Sequence, residues 1–455
     1  MTDEHLACTY IDEQHIADVT TLAPTAAQMQ RILAKAKREL PFRKGSVFEN
    51  MLSFSENMEE PIHRWCCYKE GYSHRLVTKV LERYPMPHGY PAVLDPFCGA
   101  GTTLLVAQSR QLSAVGVEIN PFAIFLSQVK TSWHKINPEE LERVLSKVLK
   151  NNYVSHSSLP ELSTFHNEKF FPNNHAYELI RLRDAIRRCR TTPEVKNALL
   201  VALAATLDDV SCLRKDGRAL RYKPCNVISP QDALYRRGMI MLEDLKAMVD
   251  RPCHDVKVLK GDARNLNSLL DNEVYQNPFG LILYSPPYPN NFDYSEVYKC
   301  EMWLLGMLES YEQWRQLRLS TFRSHPSCKF PITHYLKENV ALRDVYLLIE
   351  RAARCSDIGG TRAYERAPNV IRGYFDDVFS MLKEQIVRLA PRGHIVCVVG
   401  NSKHGRLYIQ TDTLIAKIGQ ALGLELVEIY AAKYRNDRRQ KNQKLRESLV
   451  VFTKS

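Results

Sequence analysis

A glycine-rich turn between an apolar run and an amphipathic run is the feature of this sequence best suited to holding a small ligand. It lies within Val93-Leu-Asp-Pro-Phe-Cys-Gly-Ala-Gly-Thr-Thr-Leu-Leu. Gly99 and Gly101 allow a tight turn and a close approach to a ligand, because neither carries a Cβ. A helix that begins near Thr102 directs its free N–H groups into the turn. The pattern predicts a small cofactor at the carboxyl end of a parallel strand. The chain lacks the G-x-x-x-x-G-K-[ST] lysine, which disfavours a phosphate-binding loop.

The run Ser285-Pro286-Pro287-Tyr288 is the second candidate for chemistry. A Pro-Pro-Tyr sequence by itself is typical of a loop or of a short partner-binding motif. Here it follows directly on the apolar run at 279–284, downstream of the glycine turn and of Gly261-Asp262-Ala263. This placement at a strand end predicts a catalytic loop.

Short apolar runs and helical patterns alternate along the chain and predict the elements that hold both segments. Strands are predicted at residues 91–95, 113–118, 256–259, 279–284 and 394–399, with helices at 102–110 and from about 121. The runs at 425–434 and 448–453 predict an antiparallel hairpin that closes one edge. The order predicts an α/β fold with a doubly wound, mostly parallel, seven-stranded sheet, whose ligands lie where the strands end.

Two insertions interrupt this predicted sheet. The separation of Glu118 from Asp262 far exceeds the roughly 30 residues of one βα repeat, and helical spacing recurs at 139–149, 176–189, 194–207 and 231–248. The second insertion has no clear periodicity at 320–331 and a predicted helix at 339–354. The predicted division is an N-terminal segment at 1–90, catalytic-domain parts at 91–136, 255–308 and 369–455, a helical insertion at 137–254 and a second insertion at 309–368.

The composition of the 455 residues is that of a soluble globular protein, with 45% apolar and 25% charged residues. No apolar run reaches the roughly 18 residues that cross a bilayer, and the acidic start lacks a signal-peptide pattern. The 12 cysteines form no C-x-x-C pair, which predicts reduced thiols in a cytoplasm, without a metal site. The net charge of +11 favours a polyanionic partner, although ordinary solubility would explain it equally well.

The motif Asp-Pro-Phe-Cys-Gly-Ala-Gly-Thr-Thr followed by Ser-Pro-Pro-Tyr resembles the amino-group DNA methyltransferases that use S-adenosylmethionine. These enzymes methylate the exocyclic amine of cytosine or adenine. The resemblance implies a Rossmann-like methyltransferase sheet, a ribose-binding role for Glu118 and an adenine contact from Asp262. It also implies that the segment beginning at Tyr68 folds over the methionine end of the cofactor. The implied cofactor-binding residues are Tyr68, Gly71, Tyr72, Asp95, Phe97, Gly99, Gly101, Thr102, Glu118, Asp262 and Ala263.

The resemblance assigns the chemistry to the Ser-Pro-Pro-Tyr loop. The Ser285 hydroxyl and the Pro286 carbonyl accept hydrogen bonds from the target amine, which frees its lone pair for attack on the methyl group. Pro287 stiffens the loop together with Pro286. Tyr288 stacks on a base that has been flipped out of the duplex. Cys98 is expected to pack beneath the cofactor and not to act as a nucleophile.

Serine in the first position of this motif usually accompanies cytosine N4 methylation in these enzymes. The sequence is therefore interpreted as a site-specific DNA methyltransferase of a restriction–modification system, with double-stranded DNA and a cognate endonuclease as partners. Three alternatives stay open: an N6-adenine enzyme, an RNA base methyltransferase, and a nucleic-acid-binding protein that keeps the fold without the chemistry.

Basic residues in two loops are candidates for contacts to nucleic acid. Arg218, Arg221 and Lys223 lie in the loop at 216–224, whose other interpretation is an ordinary connection between helices. Arg435, Arg438 and Arg439 lie in the basic link at 433–446, whose other interpretation is a solvated hairpin turn. Phe292 and Tyr294, just after the catalytic loop, either line a base pocket or pack against the following helix.

Overall fold

Short runs of buried apolar residues form the strands, and most of the strands join one sheet. The computed structural model describes residues 25–150, 153–217, 219–272, 277–290, 292–355, 367–404, 407–436 and 444–455. The strands in this part of the chain are β1 (Phe42–Lys44), β2 (Ala92–Asp95), β3 (Ser113–Glu118), β4 (Leu213–Lys215), β5 (Leu220–Tyr222), β6 (Lys257–Lys260), β7 (Phe279–Tyr284), β8 (Leu389–Gly400), β9 (Ser402–His404), β10 (Leu407–Ile409), β11 (Glu425–Asn436) and β12 (Lys444–Thr453).

The main sheet has eight strands in the order β1-β11-β12-β8-β7-β2-β3-β6. Strands β6, β3, β2, β7 and β8 run parallel, and β12 runs antiparallel to both of its neighbours. From β2 the chain proceeds to β3 and β6 on one side, and it then returns to β7 on the other side of β2. The order therefore reverses between β2 and β7, which is where a sheet of this kind opens a crevice at its carboxyl edge.

The helices flank this sheet and build a separate helical layer. In chain order they are α1 (Ala26–Arg38), α2 (His74–Arg83), α3 (Thr102–Ser109), α4 (Pro121–Thr131), α5 (Pro138–Lys150), α6 (His175–Arg188), α7 (Pro193–Ala205), α8 (Leu207–Val210), α9 (Pro230–Met248), α10 (Leu266–Asn272), α11 (Tyr294–Val297), α12 (Lys299–Leu304), α13 (Tyr311–Ser320), α14 (Arg343–Cys355), α15 (Ala367–Arg388) and α16 (Thr411–Ala421).

Helices α5, α6, α7 and α9 pack together and rest on α4 and α12. Helix α7 is buried along nearly its whole length, because its Val, Leu and Ala residues leave it without a polar face. Prolines at the starts of α4, α7 and α9 follow side-chain N-caps, which fix where these helices begin. The helical layer thus shares its core with elements next to the carboxyl edge of the sheet.

The predicted fold class is confirmed: the sheet is doubly wound, mostly parallel and accompanied by a large helical insertion. The sheet has eight strands where seven were predicted. The extra strand, β1, pairs with β11 at one edge, and its three residues are too few to show a strand period. Helix α13 was also not predicted: it has no fully buried residue, and its apolar side chains Trp314 and Leu317, which pack partly against the core, stand among charged neighbours. No helix of the described residues has the length and apolar character needed to cross a membrane.

Candidate active site

A cleft with about 990 Å³ of empty space opens at the carboxyl edge of β2, β3, β6 and β7. Of the fifteen residues predicted to bind the cofactor or to act in catalysis, eleven line it: Tyr68, Gly71, Tyr72, Phe97, Gly99, Thr102, Glu118, Asp262, Ala263, Ser285 and Pro287. Four others do not line it, namely Asp95, Gly101, Pro286 and Tyr288. The fold therefore brings the glycine turn and the Ser-Pro-Pro-Tyr loop to one cavity, although they are far apart in sequence.

The glycine turn adopts a backbone that most side chains would disturb. Gly99 and Gly101 have φ angles of +50° and +80°, in the left-handed region that favours glycine. A Cβ on Gly99 would lie 2.9 Å from the ring of Tyr68. Gly101 is the N-cap of α3 and has no side chain with which to cap the helix. It does not line the cleft, and its left-handed backbone contributes to the shape of the turn. The first N–H groups of α3 are left for a ligand or for water.

Glu118 connects the end of β3 to the glycine turn. Its Oε2 accepts a hydrogen bond from the N–H of Gly99 (3.0 Å), and its Oε1 accepts from the N–H groups of Ile119 (2.8 Å) and Asn120 (2.9 Å). Burial raises the pKa of this carboxyl, and the three N–H groups act in the opposite direction. The carboxylate is thus fixed in orientation at the cleft; these N–H groups use three of its roughly four lone-pair sites, which leaves one on Oε2 to accept from a ligand hydroxyl.

Asp95 lies beneath the turn and not on its open side. Its side chain is buried and accepts hydrogen bonds from the hydroxyls of Thr103 (2.6 Å) and Tyr72 (3.0 Å) and from the N–H of Phe97 (3.0 Å). Asp95 does not line the cleft in this structure, so the direct cofactor contact expected for it stays a prediction, and the hydrogen bonds observed give it a positioning role. It ties Tyr72, which does line the cleft, to α3 and to the glycine turn.

The buried Asp95 makes the stability of the protein depend on pH. Burial raises its pKa from 3.8 to about 6, against the hydrogen bonds that it accepts. Because the carboxyl holds its proton more tightly in the folded state, protonation stabilises the fold at pH values below the unfolded-state pKa of 3.8. This stabilisation disappears as the pH rises through the folded-state pKa of about 6. Between pH 4 and 6.5, wild type should lose about 2 kcal/mol of unfolding free energy relative to Asp95→Asn.

Urea unfolding at several pH values measures this difference. The exposed Asp250 provides the control, since Asp250→Asn should follow wild type across the whole range. Parallel curves for wild type and Asp95→Asn would contradict the assigned pKa.

Asp262 is held by its neighbour Arg264. The guanidinium donates to both carboxylate oxygens, at 2.9 Å from Nε to Oδ1 and 2.6 Å from Nη2 to Oδ2. Arg264 is itself fixed by the buried Asp377 (3.1 Å) and by the carbonyl of Ser320 (2.7 Å). Asp262 therefore faces the cleft in one orientation, with acceptor capacity left beyond the ion pair.

The Ser-Pro-Pro-Tyr loop follows β7, in which every residue is buried. Ser285 lines the cleft, and its Oγ lies 3.4 Å from the hydroxyl of Tyr288. The Tyr288 ring packs on Gly400, where a Cβ would lie 2.7 Å from it, and burial raises the pKa of its phenol. Because Tyr288 packs behind the loop in this structure, its stacking on a base stays a prediction.

Aromatic side chains line the cleft from beside the glycine turn onward. Tyr68 stacks on Tyr298 with ring centroids 4.9 Å apart, and it lies 6.4 Å from the ring of Tyr294. Phe292 contacts Tyr294 at 4.6 Å. Phe292 and Tyr294 both line the cleft and also pack against the core that contains the following helix, so both of their sequence interpretations stay open. Cys98 also lines the cleft, and burial raises its thiol pKa, which disfavours a nucleophilic thiolate.

The second insertion contributes cleft residues that sequence analysis missed. They are Ser320, Thr321, Phe322, Ser324 and His325. Phe322 meets Phe97 edge-on at 5.6 Å, which places this segment against the glycine turn. Neither a motif nor a periodic pattern marks these positions. Glu70 and Asn120, beside predicted residues, line the cleft as well.

The hairpin of β4 and β5 packs onto the residues that follow the catalytic loop. Gly217, at its tip, accepts a hydrogen bond from the N–H of Asp293 (2.8 Å) and lies against the ring of Phe292. Arg221 and Lys223 are exposed on this hairpin, and Arg218 lies outside the described residues. In the basic link, the partly exposed Arg435 pairs with the buried Glu447, whereas Arg438 and Arg439 lie outside the described residues.

Sequence comparison relates this chain to proteins named as methyltransferases. It is 24% identical over 484 residues to the type II methyltransferase M.BsoBI of Geobacillus stearothermophilus, covering 94% of this chain and 93% of that protein. It is 24% identical over 410 residues to the type II methyltransferase M.AvaI of Nostoc sp., covering 84% and 83%. The type II methyltransferase M.MvaI of Kocuria varians is 20% identical over 406 residues, covering 84% and 86%.

No protein-family model matches the chain. Among solved structures, it has a TM-score of 0.32 and 12% identity to the rRNA methyltransferase aviRa from Streptomyces viridochromogenes, covering 87% of this chain and 92% of that one. A score at this level does not identify a shared fold. The sequence similarity, in contrast, extends over most of the length of each chain compared.

Proposed function

We propose, from the premise that this chain is a homologue of type II methyltransferases, that it methylates DNA. The reaction transfers a methyl group from S-adenosylmethionine to the exocyclic amine of a flipped base, with cytosine N4 as the preferred target. In this proposal the protein is the modification enzyme of a restriction–modification system. The observation that carries it is the position of Ser285 and Glu118, which line one cleft from the ends of β7 and β3.

The residues of the cleft suit S-adenosylmethionine. Glu118 presents a fixed carboxylate to a ribose diol, and Asp262 presents a fixed acceptor to an adenine amine. The turn at Gly99 provides a close approach for the methionine end, and Tyr68 and Tyr72 cover it from the N-terminal segment. When bound, the cofactor supplies an electrophilic methyl group on a sulfonium that needs no acid catalysis.

The catalytic loop makes the target amine a better nucleophile. The lone pair of this nitrogen is delocalised into the base ring, and hydrogen bonds from the amine to the loop localise it on the nitrogen. In this proposal Ser285 Oγ accepts one amine hydrogen and the other is assigned to the carbonyl of Pro286, a residue that does not line the cleft in this structure; the two acceptors draw the nitrogen toward tetrahedral geometry. The adjoining prolines hold both acceptors in place before the base arrives. The hydrogen bond between Ser285 and Tyr288 is long, at 3.4 Å, and therefore weak. Little free energy is lost when the serine hydroxyl gives it up to accept from the target amine.

Nucleoside mass spectrometry tests the proposal directly. The protein is expressed in a host without base methylation of its own, and nucleosides from both DNA and RNA are analysed beside a Ser285→Ala strain. We expect N4-methylcytosine in the DNA of the wild-type strain only. N6-methyladenine would correct the target base, and product in RNA alone, or in neither nucleic acid, would contradict the proposal.

Binding of DNA is proposed to use the hairpin of β4 and β5 and the helical insertion, residues 137–254, that contains it. The hairpin stands beside the catalytic loop through the contacts of Gly217 with Phe292 and Asp293. Its two exposed cations, Arg221 and Lys223, are therefore close to where the strand around a flipped base would pass. Their proposed partners are backbone phosphates.

The double variant Arg221→Gln/Lys223→Gln should weaken DNA binding, because two phosphate contacts are lost. The slope of log affinity against log salt concentration should become less steep by about 2. Fluorescence anisotropy with a labelled duplex at several salt concentrations measures both the affinity for DNA and this slope. The matched control is Lys79→Gln/Arg110→Gln, since both residues pair with Glu82 away from the cleft. An unchanged slope in the hairpin variant would exclude these contacts.

A further inference from the structure

The catalytic loop has few hydrogen-bond donors of its own. Residues 285–289 are Ser-Pro-Pro-Tyr-Pro, so three of the five backbone nitrogens carry no hydrogen. Within the described part of the chain, the backbone of this loop makes one local hydrogen bond, from the N–H of Asn290 to the carbonyl of Tyr288 (2.7 Å). The other carbonyls of the loop therefore depend on donors from distant parts of the chain or on water.

His404 supplies such a donor from β9. Its Nε2 lies 2.6 Å from the carbonyl oxygen of Pro289, which is 115 positions away in sequence. A carbonyl oxygen can only accept, so Nε2 carries a proton and donates it to this bond. The side chain of His404 is 4% exposed. Because water does not reach this contact easily, loss of the donor would leave the carbonyl of Pro289 without a partner.

The strands around His404 provide a rigid support for the catalytic loop. Strand β8 ends at Gly400, against which the ring of Tyr288 packs, and β9 follows after one residue. Strand β9 pairs with β10, whose three residues are all buried. Strand β10 is attached in turn to α1, since the side chain of Gln30 donates to the carbonyl of Tyr408 at 2.8 Å. The segment from β8 to β10 therefore holds the loop both at Tyr288 and at Pro289.

We propose that His404 is a positioning residue for methyl transfer, which holds the Ser-Pro-Pro-Tyr loop where its acceptors meet the target amine. The inference rests on the proposed function. Among residues 286–289 only Tyr288 has a φ angle that no ring fixes, so a displacement at Pro289 is passed by a stiff chain toward Ser285. A shift of about 1 Å at a reacting centre can lower a rate about 100-fold. His404 thus acts on turnover through the loop, without touching the substrate.

The test compares variants that differ in the reach of the donor. His404→Leu fills the space without a donor, and the amide of His404→Asn reaches only as far as Nδ1, whereas the amide of His404→Gln reaches the place of Nε2. Single-turnover transfer of a labelled methyl group is measured on DNA from a host without base methylation. We expect the leucine and asparagine variants to be about 10-fold to 100-fold slower than wild type. His404→Gln should stay within about threefold of the wild-type rate.

Two further measurements distinguish positioning of the loop from a general loss of structure. The Kd for S-adenosylmethionine should stay within about twofold in all three variants, since the cofactor-binding residues lie on other elements. Hydrogen–deuterium exchange of His404→Leu should be faster at the Asn290 amide, which bonds to the loop, and unchanged in β7. On a Ser285→Ala background, His404→Leu should cost less than about threefold in rate, because the acceptor that it positions is already absent.

His394→Leu is the control, because His394 is a partly buried histidine in the middle of β8 whose ring lies 5.7 Å from that of Tyr84. It should transfer methyl groups at the wild-type rate. Wild-type rates in His404→Leu or His404→Asn overturn the inference. An equal loss in His404→Gln, or an undiminished loss on the Ser285→Ala background, also overturns it. A wild-type protein that leaves DNA unmethylated would instead overturn the proposed function.

Discussion

Replacing Ser285 with alanine is expected to lower turnover about 100-fold to 1,000-fold, the loss typical of removing one preorganised polar group from a reacting centre. The hydroxyl accepts from the amine most strongly when charge develops on that nitrogen, so the loss should fall on kcat. The affinity for S-adenosylmethionine should stay within about twofold, since the cofactor-binding residues lie on other strands and turns. Single-turnover transfer of a labelled methyl group and equilibrium dialysis of the cofactor measure the two quantities.

The structure indicates that Ser285→Ala removes the hydroxyl without changing the shape of the loop. Ser285 makes one long hydrogen bond, to Tyr288, and β7 beneath it is held by buried apolar residues. The loop should therefore keep its shape when the hydroxyl is removed. Ser109→Ala is the control, because Ser109 is exposed at the far end of α3 from the cleft. Turnover of Ser285→Ala at the wild-type rate would remove Ser285 from the mechanism.

The parts of the fold that sequence predicted well are those with a strong local signal. Strand β7 was predicted with its observed bounds, because six consecutive buried residues end at two prolines. The four longer helices of the first insertion, α5, α6, α7 and α9, were predicted to within two residues at each end, since their apolar spacing is regular; α7 and α9 also begin at side-chain N-caps. Strand β1 and helix α13 lacked such signals: one has three residues, and the other has no fully buried residue, although Trp314 and Leu317 pack partly against the core.

The residues of the cleft also differ in this respect: some were predicted from local sequence, and the positions of others depend on contacts between distant parts of the chain. The glycine turn and Ser285 were predicted from motifs and line the cleft. Asp95 and Tyr288 belong to the same two motifs but do not line the cleft. Position along a strand end does not reveal which side of a loop a side chain occupies, because that depends on neighbours such as Thr103 and Gly400. His404 comes from β9, whose three residues are too few to show a strand period, so only the folded chain brings it to the catalytic loop.

Glu118 should be the residue on which cofactor affinity depends most. Its carboxylate accepts three backbone N–H groups around the turn, and in the proposed complex it also accepts from the ribose diol. Glutamine keeps the size of the side chain but places an NH₂ group against N–H donors on one side. The substitution thus removes charge-assisted hydrogen bonds to the ligand and disturbs the turn at Gly99 at the same time.

We expect Glu118→Gln to raise the Kd for S-adenosylmethionine about 100-fold, the equivalent of one or two charge-assisted hydrogen bonds. Isothermal titration calorimetry measures it, with thermal unfolding to confirm that the variant is folded. Glu139→Gln makes the same chemical change at an exposed position of α5 and should bind the cofactor like wild type. With saturating cofactor, Glu118→Gln should recover much of its turnover, because the amine-activating groups lie on β7 and not on β3. A folded Glu118→Gln protein with wild-type affinity would place the cofactor elsewhere, and the proposed reaction would then have no cleft in which to occur.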